Sequence, residues 1–150
     1  NDRGCSLPAA EGLHALIVEE IKSYPELKKI ILMGHSYGGV LVSSLVETWE
    51  HPLPIEIHTI AAPLGGLMLL NTACDYRPPT HIAKNVTFNQ WRTQQHLDGA
   101  FKGLKEDPQV INLKGSQVVR LAETYRGRRL GHNWSISWVA DRLDQSSGVE

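Results

Sequence analysis

The sequence predicts an α/β protein with a mostly parallel sheet that is covered by helices on both faces. The main observation is that short apolar segments alternate along the chain with segments of helical periodicity, a pattern typical of parallel strands joined by helices. No internal repeat and no low-complexity stretch interrupts this alternation. The length of 150 residues suits one folding unit, so residues 1–150 are predicted to form a single domain.

The first half of the chain predicts two helices and one strand. Residues Ala9 to Tyr24 form the first predicted helix, which Pro25 ends. Its apolar residues recur at helical spacing: Leu13, Leu16, Ile17 and Ile21. Lys28 to Met33 is a short apolar run before a glycine and is predicted to be a buried strand. Gly38 to Trp49 is predicted to be a helix, with Pro52 shortly beyond its end.

The second half predicts three strands and a terminal helix. Ile55 to Ile60 and Val86 to Trp91 are apolar and rich in β-branched or aromatic residues, which favours strands. Gln117 to Leu121 is a shorter candidate strand. Gly99 to Gly115 is predicted to contain a helix and a loop, and Ile136 to Leu143 has one apolar face and is predicted to be the last helix.

Composition and charge exclude some classes of function. A formal net charge of −1 provides no electrostatic basis for binding nucleic acid. No apolar run reaches the ~18 residues needed to cross a membrane. The basic cluster Arg126, Arg128 and Arg129 is interpreted as a solvated loop. Whether Cys5 and Cys74 pair, the compartment and the oligomeric state all stay open.

A G-x-S-x-G pattern lies between the first predicted strand and the helix that follows it. It consists of Gly34, Ser36 and Gly38 with two variable residues between them. A sharp strand-to-helix turn of this kind lifts a serine hydroxyl above the edge of the sheet, and the two glycines are expected to avoid collisions where strand and helix approach. Ser36 is therefore the predicted nucleophile, and the backbone N–H of Tyr37 is a predicted oxyanion donor.

These residues resemble the α/β-hydrolase superfamily, and within it the lipases and esterases. The turn reads Gly-His-Ser-Tyr-Gly-Gly from Gly34 to Gly39, which is a common form in that family. The segment Ala61 to Gly66 is similar to a Pro-x-x-Gly segment of many lipases, and Asp2-Arg3-Gly4 is similar to a loop that precedes the helix before the serine. The resemblance spans about Asp2 to Leu143 and implies the α/β-hydrolase fold without a cofactor.

The resemblance also implies the partners of the serine, in the chain order serine, acid, histidine. His132, shortly before the last helix, occupies the position of the family's base, with a structural surface histidine as the alternative. Asp98 occupies the turn in which the family often places its acid, although Asp-Gly is also a common plain turn. Asp75 is the second candidate acid and Asp107 a weaker one.

The function implied is hydrolysis of carboxylic esters or thioesters through a Ser36–His132–Asp98 triad and an acyl-enzyme. The substrate would be a small-molecule or lipid ester, with no metal and no cofactor. The alternatives are an acyltransferase or thioesterase on the same fold, or a binding module without activity. Only eight residues precede the first predicted helix, too few for the family's first strands, so the chain is expected to be a C-terminal part that lacks the loop of the second oxyanion donor.

Overall fold

The computed structural model describes residues 6–68, 71 and 76–147. Within them, four strands form one parallel sheet in their chain order: β1 (Ile30–His35), β2 (Ile55–Ile60), β3 (Val86–Arg92) and β4 (Gln117–Arg120). The predicted α/β class with a parallel sheet is confirmed. Because all four strands run the same way, the loops that follow them lie at one edge of the sheet.

Four α-helices are described: α1 (Ser6–Ser23), α2 (Tyr37–Ser43), α3 (Leu45–Thr48) and α4 (Trp134–Ser147). The single helix predicted over Gly38–Trp49 is wrong in one respect, because it is interrupted at Ser44. The hydroxyls of Ser43 and Ser44 donate hydrogen bonds to the carbonyls of Val40 and Leu41. Such bonds from serine side chains to the preceding turn compete with regular helix geometry.

Two apolar cores lie on opposite faces of the sheet. Ile55 and Ile57 of β2 point to the first core, which packs against α1, α2 and α3. Its largest side chain is Trp49, which is buried. Ile60 points the other way and joins a second core with Val139 of α4. Because successive side chains of a strand point to opposite faces of the sheet, β2 contributes residues to both cores.

The prediction that the first strand is buried is wrong for one of its faces. Ile31 and Met33 of β1 are each 52% exposed. In the described part of the chain, β1 is an edge strand that pairs only with β2. Burial of an apolar strand on both faces requires cover from both sides, and over these two side chains the described residues leave an open groove of about 580 Å³.

Two loop predictions also differ from the structure. Gly99 to Gly115 contains turns and no helix, and a single 3-10 turn at Gln95–Leu97 precedes it. The basic cluster lies in a hairpin of two short antiparallel strands, β5 (Thr124–Tyr125) and β6 (Arg128–Arg129). Arg126 and Gly127 at its tip have φ of 49° and 71°, as in the primed turns that suit tight hairpins. Among the described helices, none is long and apolar enough to span a bilayer.

Candidate active site

Ser36 occupies a strained turn between β1 and α2. Its backbone has φ 54° and ψ −122°, a conformation that non-glycine residues adopt only when their surroundings enforce it. The enforcing contacts are backbone hydrogen bonds on both sides of the turn. Ser36 N–H donates to the Ile60 carbonyl of β2 over 2.9 Å, and the Ser36 carbonyl accepts from Gly39 N–H over 3.0 Å. The turn is therefore fastened to the sheet and to the helix at once.

The glycines of the turn differ in the space available for a side chain. A Cβ on Gly34 would lie 2.2 Å from the Gly38 carbonyl oxygen, so this glycine is required by close backbone approach, as predicted. The same prediction is wrong for Gly38, where a Cβ would meet nothing within 4 Å. The second required glycine is Gly39, whose Cβ would lie 2.4 Å from that of Ala62. Gly39 faces the strand-end loop of β2, whereas Gly38 faces open space.

The structure brings Ser36, His132 and Asp98 into one hydrogen-bonded chain. The Nε2 of His132 lies 2.9 Å from Ser36 Oγ. On the other side of the ring, Nδ1 lies 3.0 Å from both carboxylate oxygens of Asp98. A carboxylate only accepts hydrogen bonds, so Nδ1 carries the proton. Nε2 of the neutral ring is then the acceptor for the serine hydroxyl.

Asp98 is fully buried and held from three directions. Besides His132, it accepts a hydrogen bond from Thr93 Oγ1 over 2.5 Å and one from the backbone N–H of Ala100 over 2.9 Å. Burial by itself raises the pKa of this carboxyl, but the hydrogen bonds from His132, Thr93 and Ala100 outweigh it and hold the pKa below its ordinary value. Asp98 is therefore a carboxylate at neutral pH.

The backbone and ring of His132 are also held in place. Its carbonyl accepts hydrogen bonds from His35 Nε2 over 2.9 Å and from Ser135 Oγ over 2.5 Å. Phe101 packs edge-on against the imidazole, with ring centroids 5.1 Å apart. At the neighbouring Gly131, a Cβ would lie 2.9 Å from the Leu97 carbonyl, so a glycine lets the His132 loop approach the turn that carries Asp98.

His35, the variable residue before the serine, packs against the candidate base. Its ring centroid lies 4.7 Å from that of His132. Burial lowers the pKa of His35, and a proton on His132 lowers it further, although the hydrogen bond to the His132 carbonyl acts in the opposite direction. His35 is therefore neutral at pH 7, and its Nε2 carries the hydrogen that it donates to that carbonyl. A neutral neighbour does not oppose a positive charge on His132.

An open cavity of about 290 Å³ adjoins the candidate base. Its walls are formed by residues from the Asp98 turn, the end of the hairpin and the start of α4: Gly99, Arg129, Gly131, His132, Asn133 and Trp134. Trp134 lines this cavity while its Nε1 donates a hydrogen bond to the Tyr125 carbonyl. A small organic group can therefore lie against His132.

The other predicted candidates lie elsewhere. Asp107 binds Arg120 through a 2.8 Å contact and does not contact His132. Asp75, like Cys5, Cys74 and the Asp2–Gly4 motif, lies outside the described residues. Tyr37 is the first residue of α2, directly after the serine. Among the described residues, no group of three or more His, Cys, Asp or Glu side chains is arranged to hold a metal ion.

Sequence reasoning missed the residues that support Asp98. Thr93 directly follows β3. Its position at the carboxyl edge of the sheet could have marked it as a candidate site residue. Gln109 Oε1 accepts a hydrogen bond from Thr93 N–H over 2.9 Å, and its Nε2 donates to the Thr93 carbonyl over 3.1 Å. Gln109 lies 16 residues away in an irregular segment, and no local pattern marks it. Gln109 therefore holds the backbone of Thr93, whose hydroxyl binds the Asp98 carboxylate.

No protein-family model matches the chain. Neither the curated proteins nor the solved structures contain a significant match to it.

Proposed function

We propose that this chain is a serine hydrolase of the α/β-hydrolase fold that cleaves carboxylic esters or thioesters. The observation that carries the proposal is the hydrogen-bonded chain from Ser36 Oγ through His132 to Asp98, with heavy-atom distances of 2.9 Å and 3.0 Å. A nucleophile, a base within reach of it and a third group that orients the base are what activated-serine chemistry requires. The strained turn at Ser36 and the buried carboxylate support the same function.

In the proposed acylation step, Ser36 Oγ attacks the ester carbonyl carbon while His132 Nε2 takes the hydroxyl proton. The carbonyl π bond breaks and its electron pair moves to oxygen, which forms a tetrahedral intermediate. The negative charge of Asp98 stabilises the resulting imidazolium through the Nδ1 hydrogen bond. His132 then returns the proton to the leaving alcohol or thiol as the carbon–oxygen or carbon–sulfur bond breaks, and the acyl group stays on Ser36.

Deacylation repeats these steps with water as the nucleophile. His132 Nε2 takes a proton from water, the hydroxide adds to the acyl carbonyl, and collapse of the second intermediate releases the acid. The proton then goes back to Ser36 Oγ, so the enzyme returns to its starting state. The acceptor in this second step distinguishes a hydrolase from an acyltransferase, which would use an alcohol or a thiol in place of water.

Tyr37 is the proposed oxyanion donor. Its backbone N–H belongs to the residue directly after the nucleophile, at the start of α2. In strand–serine–helix turns, this N–H points to the position where the carbonyl oxygen becomes negative. A single donor of this kind is worth about 100- to 1,000-fold in turnover.

The competing function, a binding module without activity, predicts that the three side chains lie apart. Instead, His132 lies within hydrogen-bond distance of both Ser36 and Asp98. The network behind them also favours catalysis, because Thr93 and Gln109 hold an acid that a binding surface would not need to bury.

The proposal is tested by labelling the purified protein with a fluorophosphonate probe, which reacts covalently with activated serines. We expect labelling of the wild type and its loss in the variants Ser36→Ala and His132→Ala. Ser43→Ala is a matched control, since this serine lies in α2 and its hydroxyl is occupied by the Val40 carbonyl. Folding of each variant is checked by circular dichroism.

Labelling of wild type and Ser43→Ala but not Ser36→Ala would establish the activated serine. Hydrolysis of a short 4-nitrophenyl ester with the same dependence on Ser36 would then establish the ester chemistry. A folded wild type that takes no label would refute the proposal, and the chain would be treated as a binding module.

A further inference from the structure

The hairpin beside the candidate base carries three arginines in different environments. Arg126, at the turn, pairs with Asp141 of α4 over 2.8 Å. The guanidinium of Arg128 lies 5.6 Å from the ring centroid of Trp134. Arg129, in the part of the chain that the structure describes, has neither a carboxylate partner nor an aromatic ring beneath it. Among the residues that the structure describes, the exposed charge of Arg129 therefore has no ion-pair or cation–π role.

Arg129 also differs from the other two arginines in position. It lines the 290 Å³ cavity next to His132, and its Nε lies 3.9 Å from the point that a Cβ on Gly131 would occupy. None of the residues that line this cavity carries a carboxylate. Asp98, which directly precedes Gly99 of the cavity wall, is buried behind the imidazole and hydrogen-bonded to it.

The rest of the cavity wall suits an anion as well. Asn133 lines it and carries an amide that can donate hydrogen bonds. The cavity opens at the first residue of α4, a helix of 14 residues, and the amino end of a helix has a partial positive charge. Arg129, Asn133 and the first residue of α4 therefore border one cavity whose lining residues include no acid.

The chemistry of the proposed reaction decides which part of a substrate lies there. His132 returns its proton to the leaving oxygen, so the alcohol part of an ester must lie beside the imidazole. We propose that the cavity takes the alcohol part of an ester that carries a carboxylate or similar anionic group, and that Arg129 binds this group. The inference rests on the proposed ester hydrolysis and names its substrate class.

The test compares two acetate esters with the same acyl group and nearly the same shape. One is 4-acetoxybenzoate, with a carboxylate on the leaving phenol, and the other is 4-acetoxybenzamide, which is neutral. The ratio of their kcat/KM values is measured for the wild type and for variants. Differences in intrinsic reactivity cancel, because each variant is compared with the wild type on both esters.

We expect Arg129→Gln to lower the ratio of kcat/KM values, anionic over neutral, by about 1.5- to fivefold, which is the range of an exposed ion pair. Arg129→Lys should retain part of the preference, since it keeps the charge but not the planar fork. The matched control is Arg126→Gln, which removes the same charge from the same hairpin away from the cavity and should leave the ratio unchanged. High salt should weaken the preference of the wild type.

An unchanged ratio in Arg129→Gln would overturn the inference. An equal fall in Arg126→Gln would overturn it too, because the preference would then come from the summed positive charge of the hairpin and not from Arg129. Both results leave the proposed ester hydrolysis intact, because the neutral ester is still cleaved with dependence on Ser36. A wild type that takes the fluorophosphonate label but hydrolyses neither ester would overturn the substrate class alone, whereas a folded wild type that takes no label would refute the proposed function and the substrate class with it.

Discussion

Among the three glycines around Ser36, alanine at Gly34 or Gly39 should lower the free energy of unfolding, whereas alanine at Gly38 should raise it. Each adds the same methyl group within a six-residue stretch, so differences must come from the surroundings. At Gly34 the methyl would lie 2.2 Å from the Gly38 carbonyl oxygen and 2.5 Å from its carbon. At Gly39 it would lie 2.4 Å from the Ala62 Cβ, and at Gly38 it meets nothing within 4 Å.

The magnitudes follow from these contacts. Gly39→Ala should lower the free energy of unfolding by about 1–3 kcal/mol, the usual effect of overpacking. Gly34→Ala should lower it by about 3 kcal/mol or more, because backbone atoms that hold the Ser36 turn must move rather than a side chain. Gly38→Ala should raise it by about 0.4–1 kcal/mol, since a helical glycine is replaced without strain and the unfolded chain loses freedom.

The assay is equilibrium unfolding in urea, followed by circular dichroism, with the midpoint compared at constant slope. The expected order of stability is Gly38→Ala, wild type, Gly39→Ala, Gly34→Ala. If Gly34→Ala and Gly38→Ala have the same midpoint, the close approach of strand and helix described for this turn is wrong. A strong loss of stability in Gly38→Ala alone would restore the sequence-based expectation for that residue.

Three further predictions concern the residues around His132. Asp98→Asn should lower kcat for a 4-nitrophenyl ester by about 1,000- to 10,000-fold, since the imidazolium loses its counter-charge; equal turnover would exclude Asp98 as the acid. The pKa of Asp98 is lower in the folded than in the unfolded state, so its carboxylate stabilises the fold at pH values above the unfolded pKa of about 4. This contribution is lost as the pH falls through the folded pKa. The difference in free energy of unfolding between wild type and Asp98→Asn, measured in urea, should therefore shrink in acid. His35→Phe keeps an aromatic ring but removes the donor to the His132 carbonyl, a bond worth about 1 kcal/mol, and should reduce kcat several-fold with little change in KM. His35→Gln retains a donor and serves as the control; full turnover in the phenylalanine variant would show that the bond does not position the base.

Local patterns predicted most of the regular elements. Helical spacing in α1 and the β-branched run of β2 are readable because each depends on neighbours within a few residues. The parallel arrangement followed from the alternation of the two kinds of segment and is confirmed by the strand pairing. The helix expected in Gly99 to Gly115 was wrong, because this segment is ordered by side-chain hydrogen bonds such as those from Gln95 to the Phe101 and Leu104 carbonyls.

The strained serine turn follows from residues adjacent in sequence, so the chain alone indicated it. Which distant groups meet at that turn depends on how the loops pack over the sheet edge, and only the tertiary structure decided this. It placed Asp98 against His132 with Thr93 hydrogen-bonded to the carboxylate, gave Gly39 rather than Gly38 the crowded position, and placed Arg129 of the basic cluster in the wall of the cavity beside His132. These outcomes rest on contacts between segments far apart in the chain, for which short-range spacing carries no information.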